Sequence, residues 1–288
     1  MTYILCTDLD RTLIPNGNQP NDDGSILALH SLFDEIDLKL VYVSGRDINL
    51  IDQAIEQYQL PAPDFAITDV GSQIYQRNNI SWQINEHWRS TLQDSWDETK
   101  IVKINREISS LKDIRAQQPE KQSKFKSSFY FSAELNITEL NKTIIHIINS
   151  YNFSANIILS TDESTGTGLL DLIPKNASKN LALQFLAQKE LFNVGKLVFS
   201  GDSGNDMSVF SSQFKAILVN NAEPDVKDLA TKIANENNVT DNIYLAQGDF
   251  FGLNGNYCSG ILEGMAYFFP ELKNTILEQI KKTVTPER

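Results

Sequence analysis

Short runs rich in β-branched and aromatic residues open the chain. "YILCT" from Tyr3 and "LKLVYV" from Leu38 are mostly apolar on both faces, as central strands covered by helices on two sides must be. Between and after them apolar residues recur at helical spacing, over Ser25 to Phe33 and Asp47 to Tyr58, and "DFAITDVGSQIY" reads as a further strand segment. Strands alternating with helices predict βαβ units and a parallel sheet. The rhythm changes after about Gln76. Two long helical patterns, Glu86 to Ile108 and Ile137 to Tyr151, flank the strand-like "FKSSFYF", and "ANIILST" follows. Alternation resumes with the helix "SKNLALQFLAQKE", the strand and loop "KLVFSGDSGND", then "FKAILVNNA" and "IYLAQ". The pattern predicts an α/β fold: a Rossmann-like parallel sheet core with helices on both faces, built from residues 1–80 and 172–288, interrupted by an inserted α+β domain over residues 81–171. Such an insert brings its two linkers to one sheet edge, where a lid would sit. Only the tail "TVTPER" reads as disordered.

Composition narrows the partners. A formal charge of −12 over 288 residues disfavours nucleic acid and anionic membrane, both of which need a basic footprint. An anionic substrate then needs a local cationic site. With no basic-then-apolar leader at Met1 and no apolar run near about 18 residues, a cytoplasmic protein without a membrane or nucleic-acid partner is expected, and a monomer. Cys6 and Cys258 match no metal spacing and read as reduced core thiols. Of three histidines, His30 and His146 sit in apolar helical patterns, so histidine-based catalysis has little support.

Side chains of equal parity share one face of a strand, so Asp8 and Asp10 leave the end of "YILCTDLD" pointing roughly the same way. Two such carboxylates repel and need compensation. Ligands of open α/β sheets bind at the carboxyl ends of strands, and three other segments bring suitable groups there. "LVYVSGR" ends in Ser44-Gly45-Arg46, a hydroxyl and free N–H groups suited to an anion. "LVFSGDSGND" ends in Asp202, Asn205 and Asp206, hard oxygen donors suited to magnesium. Lys179 opens the helix after "LDLIPKNAS", so its ammonium and the helix N-terminus can both face an anion. Each piece alone reads as a turn, a bend or a solvated lysine. Their order and shared place at strand ends favour one phosphate and metal site.

"DLDRTL", "VSGR", Lys179 and "GDSGND" resemble the four motifs of the haloacid-dehalogenase-like hydrolase superfamily, mostly magnesium-dependent phosphatases, and the insert falls where that superfamily's type-two caps lie. "ITDVGSQIY", "EHWR", "FKSSFYF", "LLDLIPKNASKNLALQFL" and "CSGILEGMAYF" are similar to the sucrose-6-phosphate phosphatase family. The resemblance implies hydrolysis of a disaccharide phosphate, sucrose 6-phosphate first, through an aspartyl-phosphate on Asp8. It makes Asp10 the general acid and then base, with a carboxyl raised above the free value of about 3.9. Ser44, Gly45, Lys179 and Asn205 would hold the phosphate; Asp8, the Asp10 backbone carbonyl, Asp202 and Asp206 would hold magnesium. Arg46 would reach phosphate or sugar. Lys126, Asp171 and the segment from Gly71 would read the sugar, while Trp82, Trp88 and Trp96 read as cap core. A sugar-phosphate synthase is the implied protein partner. Asn180 stands where the family carries glycine, and "ESTGTGL" is a loop outside its pattern. The same residues admit mannosylfructose phosphate, glucosylglycerol phosphate or glucosylglycerate phosphate as substrate. A non-catalytic sugar-phosphate-binding module is the other class, and the intact Asp8, Asp10, Lys179 and Asp202 speak against it.

Overall fold

The computed structural model describes residues 1–162 and 166–284. The "ESTGTGL" loop and the "TVTPER" tail fall partly outside the described residues. Eight strands form one sheet, in chain order β1 (Tyr3–Thr7), β2 (Leu38–Val43), β3 (Phe65–Thr68), β4 (Gln73–Asn78), β5 (Ser81–Ile84), then, after four strands of a second sheet, β10 (Leu197–Gly201), β11 (Lys215–Leu218) and β12 (Ile243–Leu245). The second sheet holds β6 (Ile114–Ala116), β7 (Ser127–Phe131), β8 (Ala155–Asp162) and β9 (Thr167–Pro174) in the order β6-β7-β9-β8.

In the large sheet the order is β12-β11-β10-β1-β2-β3-β4-β5. Chain order runs outward from β1 to one side and outward from β10 to the other. The crevice between β1 and β10 is therefore the switch point, where an open α/β sheet places its ligand. The expected parallel sheet is a mixed one. β4 and β5 pair antiparallel, because "DFAITDVGSQIY" is two strands folded back at Asp69–Gly71. In that turn Asp69 and Val70 both take positive φ, 51° and 59°, which no sequence rule assigns to valine. Helices Ser25–Glu35, Ile48–Tyr58, Tyr257–Phe268 and Lys273–Thr283 bury Leu29, Ile51, Ile261 and Ile276 on one face of this sheet. Helix Lys179–Lys189 covers the other with Leu183 and Leu186.

The long helix expected over Glu86 to Ile108 is two, Glu86–Gln93 and Glu98–Ser109. The first ends at Gln93, and Asp97 starts the second, its side chain accepting from the Thr99 and Lys100 amides at 2.9 and 3.1 Å, a cap geometry that begins a new helix. Helices Glu98–Ser109 and Ile137–Ser150 pack on one face of the four-stranded sheet, burying Ile104 and Ile144 with Phe129, Phe131, Leu170 and Leu172. Alternation turns their neighbours Ser128, Leu169 and Asp171 to the opposite face, over the switch point. Ser81–Ile84 belongs to the eight-stranded sheet, and Leu172–Pro174 completes β9 of the smaller one. Trp88 and Trp96 are buried, and Trp82 donates to Asp52 at 2.9 Å. Both cysteines are free and buried, and no helix among the described residues is long and apolar enough to cross a membrane.

Candidate active site

β1 delivers Asp8 to the switch point, where its carboxylate accepts from the Leu9 amide at 2.8 Å. Lys179, the first residue of its helix and fully buried, reaches three acceptors: Asp206 Oδ1 at 2.6 Å, Asn205 Oδ1 at 2.7 Å and Asp8 Oδ2 at 3.1 Å. Asp206 comes this close because Gly201 has no side chain; a Cβ there would lie 2.5 Å from Asp206 Oδ2. Asp202 accepts from Thr12 Oγ1 at 3.1 Å and lies 3.5 Å from Arg11 Nε.

Burial raises the Asp8 carboxyl, Lys179 opposes it, and Asp206 and Asp10 add to the rise, leaving it at about 7. Burial and the charges of Asp206 and Asp8 push Asp202 up to about 8 against Arg11 and Thr12. For Lys179 burial works against the charge, but Asp206 and Asp8 outweigh it and hold the ammonium above its usual range. Carboxylate oxygens of Asp8, Asp202 and Asp206 lie within 4.8 Å of one another. An all-oxygen donor set with this excess of buried negative charge fits a hard divalent cation.

Asp10 departs from expectation. Burial raises its carboxyl, but Arg46 and Asn16 bring it below the ordinary range. The Arg46 guanidinium grips it at both ends, 2.8 Å from Nε and 2.6 Å from Nη2, and Asn16 donates at 2.7 Å. A bidentate arginine stabilises the charged carboxylate, so the raised acid read from sequence is an ionised one here. Ser44 and Gly45 stand at the end of β2, with Ser44 buried. A Cβ on Gly45 would meet only Val70, at 3.8 Å, so the loop faces open space.

Above this floor lies a cleft of about 520 Å³, roofed by the four-stranded sheet. Lys126, expected on a strand, sits just before β7 and is buried. Its ammonium pairs with Asp69 at 2.6 Å and points to the Gly45 carbonyl at 3.4 Å. Burial lowers its affinity for a proton, but Asp69 and Asp171 raise it further. Asp171 accepts from Ser128 Oγ at 2.5 Å, and burial raises its carboxyl. Gly71 is not in the cleft wall. It takes φ +96°, and a Cβ there would come within 2.3 Å of the Ser178 carbonyl, so it packs beneath the start of the Lys179 helix while Val70 lines the cleft. Sequence reasoning passed over Arg11, Asp69, Gln117, Lys121 and Ser160. Arg11 lies within "DLDRTL" and Asp69 within "ITDVGSQIY", but nothing local marks Gln117, Lys121 or Ser160.

A family model described as Sucrose-6F-phosphate phosphohydrolase matches residues 1–269. The chain belongs to this family. A HAD-like hydrolase from Nitrosococcus oceani is 40% identical over 270 residues, 94% of this chain and 72% of that protein. A mannosylfructose-phosphate phosphatase from Agrobacterium fabrum is 26% identical, covering 92% and 96%. Sucrose-phosphatase from Synechocystis, solved with sucrose and phosphate, has the same fold, with a TM-score of 0.72 at 23% identity over 92% of this chain and 97% of that one. As a member of the sucrose-6F-phosphate phosphohydrolase family, and so of the haloacid-dehalogenase-like superfamily, the chain is a sugar phosphatase, a phosphoric monoester hydrolase.

Proposed function

We propose that the protein is a magnesium-dependent phosphatase of glycoside phosphates, with sucrose 6-phosphate as its substrate and the unit around the four-stranded sheet as the cap that selects it. One observation carries this reading: Asp8, Ser44, Lys179 and Asp202, from four separate strand or helix ends, meet at the floor of a cleft large enough for a disaccharide phosphate. The roof over that floor is rich in hydroxyl-binding groups.

In the proposed reaction an Asp8 oxygen attacks phosphorus, the bond from phosphorus to the sugar oxygen breaks, and Asp10 gives that oxygen a proton. Asp10 then takes a proton from water, whose oxygen attacks the aspartyl-phosphate and frees phosphate and Asp8. Lys179 offsets charge on Asp8 and on the phosphoryl group, while Ser44 and Gly45 bind its oxygens. Asp8, Asp202 and Asp206, with the Asp10 carbonyl, would hold magnesium, which when bound supplies positive charge against the phosphoryl oxygens. The Asp10 side chain, held by Arg46, is not free for that cation. The incoming phosphoryl group competes for Arg46. Once Arg46 is drawn onto it, burial and Asp8 are left to raise Asp10 into its acid role.

Purified enzyme with magnesium should release phosphate from sucrose 6-phosphate much faster than from hexose 6-phosphates; a flat panel, or one led by mannosylfructose phosphate or glucosylglycerol phosphate, overturns that substrate. In Arg46→Gln the Michaelis constant should rise, and the alkaline limb of kcat/KM should move to higher pH because Asp10 loses the cation that keeps it ionised. An unmoved limb would sever Arg46 from proton transfer. Chelation should abolish turnover, and the metal linkage has a definite sign. Metal-free, the folded protein keeps protons on Asp8 and Asp202 that the unfolded chain releases, so its stability falls as pH rises from about 4 to about 8. Magnesium displaces those protons. Its stabilising shift in thermal unfolding should therefore be larger above about pH 8 than below about pH 7.

A further inference from the structure

Four cations of the cleft are tied to carboxylates: Lys179 to Asp8 and Asp206, Lys126 to Asp69, Arg46 to Asp10, and Arg11 to Asp202 and Glu223. Lys121 lines the same cleft, half-buried. Among the described residues its ammonium has no ion pair or hydrogen bond. Its ammonium is open to the cleft, while the backbone that carries it is fixed in place. Pro119 starts the tight turn Pro119–Lys121, and the Lys121 amide donates to the Gln118 carbonyl at 2.9 Å. The Gln122 side chain then fastens the segment to β7, donating to the Gln117 and Ser128 carbonyls at 3.1 and 2.8 Å and accepting from the Ser128 amide at 2.8 Å. At the other end of this bracket Lys126 reaches the Ser44–Arg46 loop through Gly45. Lys126 is thus committed to the Ser44–Arg46 loop, and Lys121 lines the cleft from the turn that precedes it.

We propose that Lys121 reads the sugar ring that does not carry the phosphate, giving its three donors to that ring's hydroxyls. Ile158 and Leu169 offer the apolar surface on which the ring lies, and Asp171 accepts from the same sugar. The inference rests on the glycoside-phosphate reading and adds to it the residue that makes the second ring count.

The test is the ratio of kcat/KM for sucrose 6-phosphate to that for glucose 6-phosphate, in wild type, Lys121→Met and Lys121→Arg. A charged hydrogen bond lost on one substrate alone predicts that the Met variant's ratio falls about ten- to hundred-fold, mainly through the Michaelis constant. The Arg variant should keep most of it. Partial misfolding cancels in the ratio. A Met variant whose ratio stays within about twofold of wild type, or whose two rates fall in parallel, overturns the assignment. A wild type without preference for sucrose 6-phosphate overturns that substrate instead, and Lys121 is then decided by the same ratio for the glycoside phosphate that wild type hydrolyses fastest.

Discussion

Asp8→Asn should lose phosphatase turnover by a factor on the order of 10⁴ or more, the scale on which removal of a reacting nucleophile is felt, while the metal-free protein becomes more stable. The two effects have one origin. The Asp8 carboxylate is buried with Asp206 and Asp202 nearby, and its charged form is penalised. An amide of the same shape removes that penalty and cannot attack phosphorus. Steady-state phosphate release and urea unfolding in a chelator measure the pair. A variant that turns over at near wild-type rate would remove Asp8 from the mechanism, and one destabilised without metal would contradict the charge balance drawn for the site.

Lys179→Met should be equally inactive and shift stability the other way. Lys179 is fully buried between Asp206 and Asp8, and removing one partner of a buried pair leaves uncompensated charge at a cost of about 3–5 kcal/mol. That is a large share of a domain's total stability of about 5–15 kcal/mol and corresponds to a fall in melting temperature of roughly 10 °C. Neighbouring charges do not act independently. Asp8→Asn should therefore stabilise Lys179→Met by more than it stabilises the wild type, because it removes one of the stranded carboxylates. Thermal unfolding of the four proteins in chelator checks this; strict additivity of the two changes would mean that Lys179 and Asp8 are not coupled.

The floor of the site was legible because its residue types stand at strand ends in chain order. Asp8, Ser44, Lys179 and Asp202 needed only the prediction that those strands lie side by side, and the β1/β10 switch point brings them together. The roof was not legible. Ser128, Leu169 and Asp171 face the cleft only because β7 and β9 pair in a given register, Ser128 opposite Asp171, and no local signal sets it. The turn after β3 failed for a different reason. Asp69 and Val70 are held in left-handed conformations by contacts from outside the turn, with their amides donating to the Arg46 and Ser44 carbonyls at 3.0 and 3.1 Å, so tertiary bonds override the preference of valine. Asp10 shows the limit most plainly. Its place was predictable, but its charge depends on Arg46, which arrives from another strand and binds it at both oxygens.

Asp8 is the residue proposed to form the covalent bond to phosphorus at the foot of this cleft. The most direct measurement is rapid acid quench of the magnesium-loaded enzyme during a single turnover of sucrose 6-phosphate, followed by peptide mass spectrometry. A phosphoryl adduct should appear on the peptide carrying Asp8 and decay as free phosphate accumulates. Phosphate release with that peptide unmodified and the adduct on another residue would contradict it.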